Sequence, residues 1–180
     1  MYNPESRALV GRCLLMLTLC LFLNVSDAKA INLSAKSDEP IKIEADRAEL
    51  DDKTGKSTYS GNVIITQGKS SLEAAQVVIF SDQDGIRQFT ATGDLAHLIQ
   101  YDPETNAETH AYAREILFER SSNQVILRKN ARLEQQSSSF QGEEIIYNTL
   151  QRVVTANSDP SDETNNRVNI IYQPPKANPQ

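Results

Sequence analysis

Between residues 40 and 154, the chain alternates short apolar stretches with polar ones. The apolar stretches are four to seven residues long and rich in Val, Ile, Thr and Tyr, and Asp, Asn, Gly, Ser and Lys separate them at spacings near ten residues. This alternation of strand and turn residues is typical of a sandwich, barrel or jelly roll and does not fit a helical or βαβ protein. The pattern therefore predicts an all-β protein.

A short motif recurs along the chain and indicates a repeated unit. Its copies lie at residues 61–67, 93–98 and 129–135. The polar residues near the start of the copies, Asn62, Asp94 and Asn130, are 32 and 36 residues apart. We interpret each copy as the end of one strand, a turn that tolerates positive φ and the start of the next strand. Stacked strand-turn units predict an elongated sheet in which each layer covers the apolar face of its neighbour.

Two segments, residues 44–50 and 72–76, contain good helix formers, but we interpret both as kinked strands. Each is too short for a stable isolated helix, and each lies beside β-type sequence. A short helix over residues 31–36 is an open alternative.

Apolar residues at alternate strand positions define an expected inner face of the sheet. The expected inner residues are Ile41, Ile43, Leu50, Val63, Ile65, Leu72, Ala74, Leu98, Phe118, Leu133 and Phe140. Such a face forms either an ordinary hydrophobic core or an apolar cleft that stays open and holds a ligand with acyl chains. Periodicity does not distinguish these two interpretations, and a bulge near the alanine-rich kinks would exchange the two faces of a strand.

The two ends of the chain differ in composition from the repetitive part. Two arginines precede an apolar run over residues 14–23, and residues 28–30 offer the small side chains that a signal peptidase reads, so we expect cleavage after Ala30. The run has about half of the roughly 20 residues that span a bilayer, which makes an uncleaved anchor the alternative. Residues 174–180 contain three prolines and predict a flexible tail, so one domain is expected over residues 31–173.

The composition of the mature part excludes several classes of site. Both cysteines, Cys13 and Cys20, lie in the signal segment, so neither a disulfide nor a thiolate metal site is expected after cleavage. The formal net charge is -6, and cleavage removes three basic and two acidic residues, which makes the mature chain one charge more acidic. An acidic chain does not suit a nucleic-acid groove, which needs clustered Lys and Arg.

Candidate catalytic groups are sparse. His97 and His110 are the only histidines, and no nucleophile motif surrounds the serines. Residues 82–85 begin like a calcium loop but lack its distant glutamate, so they predict a hairpin turn. Adjacent carboxylates such as Glu143 and Glu144 point to opposite faces of a strand and cannot flank one glycosidic bond. We therefore predict a protein that is not an enzyme, with no cofactor and no metal; an envelope-polysaccharide hydrolase is the least supported alternative.

Several of these segments resemble the OstA-like family of lipopolysaccharide-transport proteins. The matching segments are residues 40–46, 60–68, 72–78, 129–135 and 142–145. The resemblance implies an elongated, twisted open β-jellyroll of antiparallel strands, located in the periplasm, whose interior takes the acyl chains of lipid A. Lys129 stands where the family motif has glycine, which puts the turn geometry there in doubt.

The resemblance also implies partners. They are lipopolysaccharide, an inner-membrane transporter complex with a bitopic jellyroll partner, an outer-membrane translocon and further copies of the chain joined end to end. Unpaired edge strands give such joining a physical basis. The expected edges lie at residues 40–45 and 168–172, with Ile41, Ile43, Val168, Ile170 and Tyr172 as contact residues. A membrane-anchored or ligand-free structural member of the same family is the alternative.

Overall fold

The computed structural model describes residues 39–159 and 167–173, which form ten β-strands. The strands are β1 Lys42–Glu44, β2 Arg47–Asp51, β3 Lys56–Gln67, β4 Ser70–Asp82, β5 Gly85–Asp102, β6 Ala107–Glu119, β7 Gln124–Gln135, β8 Ser138–Asn148, β9 Val153–Asn157 and β10 Asn169–Tyr172. All pairings are antiparallel in one open sheet of order β1-β3-β4-β5-β6-β7-β8-β10, in which β2 also pairs with β3 and β9 with β8. The predicted all-β, open antiparallel fold is confirmed.

Some sequence predictions concern residues that lie outside the described ranges. These are the signal segment with its cleavage site after Ala30, the alternative helix over residues 31–36, and the tail over residues 174–180.

A line of register shifts crosses the six long strands, β3 to β8. The shifts lie between Ser60 and Val63, Glu73 and Gln76, Thr92 and Ala96, Tyr112 and Glu115, and Arg128 and Ala131. This crease divides the sheet into two half-sheets. Half-sheet A comprises residues 47–60, 76–92, 115–128 and 144–157, with β2 and β9 at its edges. Half-sheet B comprises β1, residues 63–74, 96–113 and 131–142, and β10.

The repeated motif lies on the crease, inside continuous strands, so our prediction that it marks turns between strands is wrong. The predicted positive φ is present in the first copy, at Gly61 (78°) and Asn62 (46°), and in the third copy, where Lys129 has a φ of 64°. It is absent from the second copy. The bulge in β5 spans residues 93–95, and its three residues change the register without a left-handed residue.

Both segments with helix-forming composition are kinked strands, as predicted. Residues 44–50 contain the break between β1 and β2, and residues 72–76 contain the register shift of β4. Residues 82–85 form the predicted hairpin turn, in which the Asp84 amide donates to Asp82 Oδ1 over 2.9 Å. In these segments the neighbouring strands determine the backbone conformation, because strand pairing outweighs a weak helix propensity.

Apolar side chains from both half-sheets form one core. Half-sheet A contributes Val77, Ile79, Phe89, Ala91, Ile116, Val125, Leu127, Ile145 and Tyr147, and half-sheet B contributes Val63, Ile65, Leu72, Ala96, Leu98, Ala111, Ala113, Ala131 and Leu133. The half-sheets therefore face each other across an apolar interior. In the part of the chain that the structure describes, no helix is both long enough and apolar enough to cross a membrane.

Candidate functional site

The apolar interior between the half-sheets is the candidate site. Of the residues expected on the inner face, five are buried in it, namely Val63, Ile65, Leu72, Leu98 and Leu133. Four more are partly buried against it: Ile43, Ala74, Phe118 and Phe140. The strand alternation therefore brings most of the expected residues together on one side of the sheet.

In the part of the chain that the structure describes, the interior is open at the end of the sheet formed by β1 and β2. A cavity of about 200 Å³ lies there between the two half-sheets. Ile41, Ile43, Ile65 and Leu72 line it from half-sheet B, and Tyr59, Ile79, Ile86 and Phe89 line it from half-sheet A. Ser57 and Ser81 complete the wall, which is therefore mostly apolar, as the binding of an acyl chain requires.

Two expected inner residues lie at the rim of this interior. Ile41 is 37% exposed and lines the cavity, whereas Leu50 is 62% exposed and lies outside the buried cluster. Leu50 pairs with Ser57, which also lines the cavity, so the Leu50 side chain has the inward orientation. Its strand, β2, is an edge strand with no further neighbour in the described part of the chain. Its exposure follows from its place at the edge of half-sheet A.

The strands expected to be edges are edges. β1 and β10 stand at opposite ends of the strand order, and Ile170 and Tyr172 pair with Phe140 and Ser138, so both residues point to the inner face. β2 and β9 are the corresponding edges of half-sheet A and were not predicted as edges. Because the crease was not foreseen, only one edge was expected at each end instead of two.

The two histidines lie on the outer face of half-sheet B. His97 Nε2 lies 3.3 Å from His110 Nδ1, and the His97 ring stacks on Tyr112 with ring centroids 4.2 Å apart. The Arg132 guanidinium also packs on Tyr112, 4.1 Å from the Tyr112 ring centroid. The His97 and His110 centroids are 5.5 Å apart, so the facing nitrogens lie between the rings and point at each other, as in a hydrogen bond. The pair therefore does not present two converging lone pairs to a metal ion.

Charged side chains cluster on the outer face of half-sheet A near the crease. Arg128 bridges two neighbouring strands, with Nε 3.1 Å from Glu144 Oε2 and Nη1 3.3 Å from Glu115 Oε1. The hydrogen bond to Glu144, aided by that to Glu115, raises the pKa of Arg128. Across the described ranges, no group of three His, Cys, Asp or Glu side chains is placed to hold a metal ion.

Comparison with known proteins identifies the family to which this architecture belongs. A family described as "LptA/(LptD N-terminal domain) LPS transport protein" matches residues 42–153. The chain belongs to this family. The match begins at β1 and reaches the start of β9, so it includes the long strands of both half-sheets and most residues of the candidate site. The resemblance to lipopolysaccharide-transport proteins that the sequence segments indicated is confirmed.

Named members of this LPS transport family align along most of the chain. The lipopolysaccharide export system protein LptH of Pseudomonas aeruginosa is 31% identical over 156 residues, which are 84% of this chain and 89% of that protein. The lipopolysaccharide export system protein LptA of Escherichia coli K12 is 29% identical over 147 residues, or 81% and 79% of the two chains.

A solved structure has the same fold. The crystal structure of LptH from Pseudomonas aeruginosa, described as the LptA-homologous periplasmic component of the lipopolysaccharide transport device, superposes with a TM-score of 0.66. The sequences are 32% identical, and the superposition covers 76% of this chain and 96% of LptH.

Proposed function

We propose that this member of the LPS transport family binds lipopolysaccharide by its acyl chains and relays it from an inner-membrane transporter complex to an outer-membrane translocon. The observation that carries the proposal is the apolar interior between the half-sheets, which is open at the β1 and β2 end where Ile41 and Ile43 lie. The names of the aligned relatives, which are lipopolysaccharide export proteins, support the identity of the ligand.

A relay needs contacts that hold the lipid without trapping it. At roughly 25 cal/mol per Å², burial of a few hundred Å² of acyl surface stabilises the complex by several kcal/mol before the costs of ordering are subtracted. Many modest apolar contacts of this kind, spread over facing strands, permit transfer to the next site. The role requires no reacting group, and we propose no catalytic step and no cofactor.

Open edges at both ends of the sheet support the proposed partners. Within residues 39–159 and 167–173, β1 and β2 have no further strand beside them at one end of the sheet, and β9 and β10 have none at the other, so a neighbouring jellyroll can extend the sheet by strand addition. We propose that Ile41, Ile43, Val168, Ile170 and Tyr172 contribute to these contacts. The neighbours would be further copies of the chain, the bitopic partner of the transporter complex and the outer-membrane translocon.

The proposed location is the periplasm, after cleavage behind Ala30. The relative LptH is a periplasmic component, and the sequence pattern before Ile31 is that of a signal peptide. N-terminal sequencing of the exported protein tests this point. A first residue of Ile31 is expected, and an intact N-terminus in a membrane fraction would establish the anchored alternative.

A matched pair of variants tests the relay. Ile43 lines the cavity, whereas Ile64 on the paired strand β3 points outward and is 38% exposed. In cells that depend on this protein, Ile43→Asp is expected to leave newly made lipopolysaccharide in the inner membrane, because a carboxylate in the cavity repels acyl chains. Ile64→Asp should sustain normal transport. Equal transport by the two variants, both present at wild-type levels, would contradict the proposal.

A further inference from the structure

A row of uncharged polar side chains lies on the inner face of half-sheet B, along the margin that is farthest from the crease. The row runs across strands β3 to β8 and consists of Gln67, Ser70, Gln100, Thr109, Gln135 and Ser138. Register pairs Gln67 with Ser70, Gln100 with Thr109, Thr109 with Gln135, and Gln135 with Ser138. Ser71 pairs with Ile99, and the same antiparallel register places Ser70 beside Gln100. Directly paired residues share a face of the sheet, so these side chains form one continuous row. We call it the polar row.

The polar row faces the interior and not the solvent side. Gln100, Thr109 and Gln135 are each two positions from a buried core residue, namely Leu98, Ala111 and Leu133. Alternation along a strand places residues two apart on the same face. The inner face of half-sheet B therefore carries two neighbouring rows, one apolar and one polar, and both cross the strands in the same direction.

The central part of the polar row lines a second cavity, of about 300 Å³. Gln100, Thr109 and Gln135 form one wall, and Tyr147 and Arg152 of half-sheet A lie on the opposite side. Within residues 39–159 and 167–173, the three side chains of this wall make no hydrogen bond to other groups. Their amide and hydroxyl groups are half-buried and available to a ligand.

We propose that the polar row binds the sugar part of the glycolipid whose acyl chains occupy the apolar interior, an inference that rests on the proposed function. Amides and hydroxyls both donate and accept hydrogen bonds, as sugar hydroxyls do. Tyr147 is part of the core and also lines the cavity, so the apolar and polar sites are contiguous. One amphiphile can therefore occupy both.

The charges in the cavity favour sugar hydroxyls over phosphate. Asp102 and Glu104 contribute two carboxylates, and Arg152 contributes one cation, with Nη2 3.4 Å from Asp102 Oδ2. The amide of Glu104 donates to Asp102 Oδ1 over 2.9 Å and holds the pKa of Asp102 below its ordinary value, so that carboxylate stays ionised. Among the described residues, Arg152 is the only cation that lines the cavity and it is already paired, so a free anion meets net negative charge.

The arrangement also suits movement of the lipid. Strands lie about 4.8 Å apart, so a sugar can shift from one strand to the next and meet an equivalent polar group, while the acyl chains shift along the parallel apolar row. The sugar then does not have to cross the apolar row, and the acyl chains do not have to cross the polar row.

A triple variant, Gln100→Leu, Thr109→Val and Gln135→Leu, tests the polar row. Its matched control makes the same exchanges at Gln88, Thr90 and Gln124, which lie on β5 and β7 with their side chains on the outer face of half-sheet A. We expect the triple variant to bind lipopolysaccharide about tenfold more weakly, through the loss of one or two net hydrogen bonds. It should bind a fluorescent fatty acid as the wild type does, and the control should bind both ligands normally. Unchanged affinity of the triple variant for lipopolysaccharide would overturn the proposal.

A second measurement uses the unmodified protein and does not depend on the folding of a variant. The side-chain amide NMR signals of Gln100 and Gln135 should shift on addition of deacylated lipopolysaccharide, while those of Gln88 and Gln124 stay in place. Absence of a shift overturns the sugar site, and an equal shift with inorganic phosphate alone replaces it with an anion site. Failure of the wild type to bind the fatty acid would instead contradict the proposed acyl site.

Discussion

The backbone amide of Asp46 donates a hydrogen bond to the carbonyl of Gly61 over 2.9 Å, where the chain passes from β1 in half-sheet B to β2 in half-sheet A. Asn62 Nδ2 adds a second bond, 3.0 Å from Asp46 Oδ2. Gly61 has a φ of 78°, and a Cβ at this position would lie 2.8 Å from the Cβ of Asp46. The break in the edge strand and the bulge of β3 therefore fit together only with glycine at position 61.

Gly61→Ala should lower the free energy of unfolding by about 2 kcal/mol, because it combines positive φ with a steric clash. Gly93→Ala is the matched control, since Gly93 lies on the same crease without positive φ and a Cβ there would be 3.3 Å from the Ala75 amide nitrogen. We expect a loss below about 1 kcal/mol for the control. Urea denaturation of the two variants measures the difference, and equal losses would show that the crease does not require the left-handed conformation.

Lys129→Gly should be neutral or raise the free energy of unfolding by about 0.5 kcal/mol. Lys129 has a φ of 64°, and relief of a left-handed conformation outweighs the added entropy of the unfolded chain. The same exchange at Lys56, a strand residue without positive φ, should cost about 0.5–1 kcal/mol. No loss of stability at position 129, beside a loss at position 56 in chemical denaturation, supports a left-handed conformation at Lys129 on the crease. A loss at position 129 as large as that at position 56 argues against it.

The free energy of unfolding should decrease as the pH falls through about 6.5, because of the titration of His97. Burial, and secondarily the neighbouring His110, lowers the pKa of His97 below its ordinary value of 6.5. The unfolded chain then binds a proton in a pH range where folded His97 stays neutral, which favours unfolding. Glu73 and Glu134 face the ring and oppose the shift, whereas Arg132 adds to it.

The comparison of wild type with His97→Gln isolates this dependence. Urea midpoints measured between pH 7.5 and 5.5 should fall more steeply for the wild type than for the variant. Carboxylates with lowered pKa values, such as Asp51 and Asp82, titrate below this range and do not obscure the result. Identical slopes would mean that His97 has the same proton affinity in the folded and unfolded chains.

The sequence predicted the inner face well because alternation within a strand is a local property. Ile65 and Leu72 are buried as expected, and they pair with each other across β3 and β4. The crease was not predicted because it depends on pairing between distant segments. The kink predicted over residues 72–76 does coincide with the shift of β4, but nothing in the sequence aligns it with the shift of β6 at Arg114, which carries no turn signal.

The polar row could not be predicted from the sequence, for a related reason. Gln100, Thr109 and Gln135 each resemble an ordinary polar residue near the end of a strand, and their sequence positions give no sign of alignment. Only the register of β5, β6 and β7 places them side by side. Lipid binding by the expected inner residues stays a prediction, since their burial fits both a plain core and an acyl site.

The central claim is that acyl chains lie between the half-sheets, and photocrosslinking at two adjacent residues tests it most directly. Phe118 points inward and packs on Phe89 with ring centroids 5.4 Å apart, whereas Leu117 pairs with Thr90 and Ile126 on the outer face. Benzoylphenylalanine at position 118, in the exported protein, should give adducts with lipopolysaccharide, and the same group at position 117 should give none. Equal adducts at the two positions, or adducts at position 117 alone, would contradict the account.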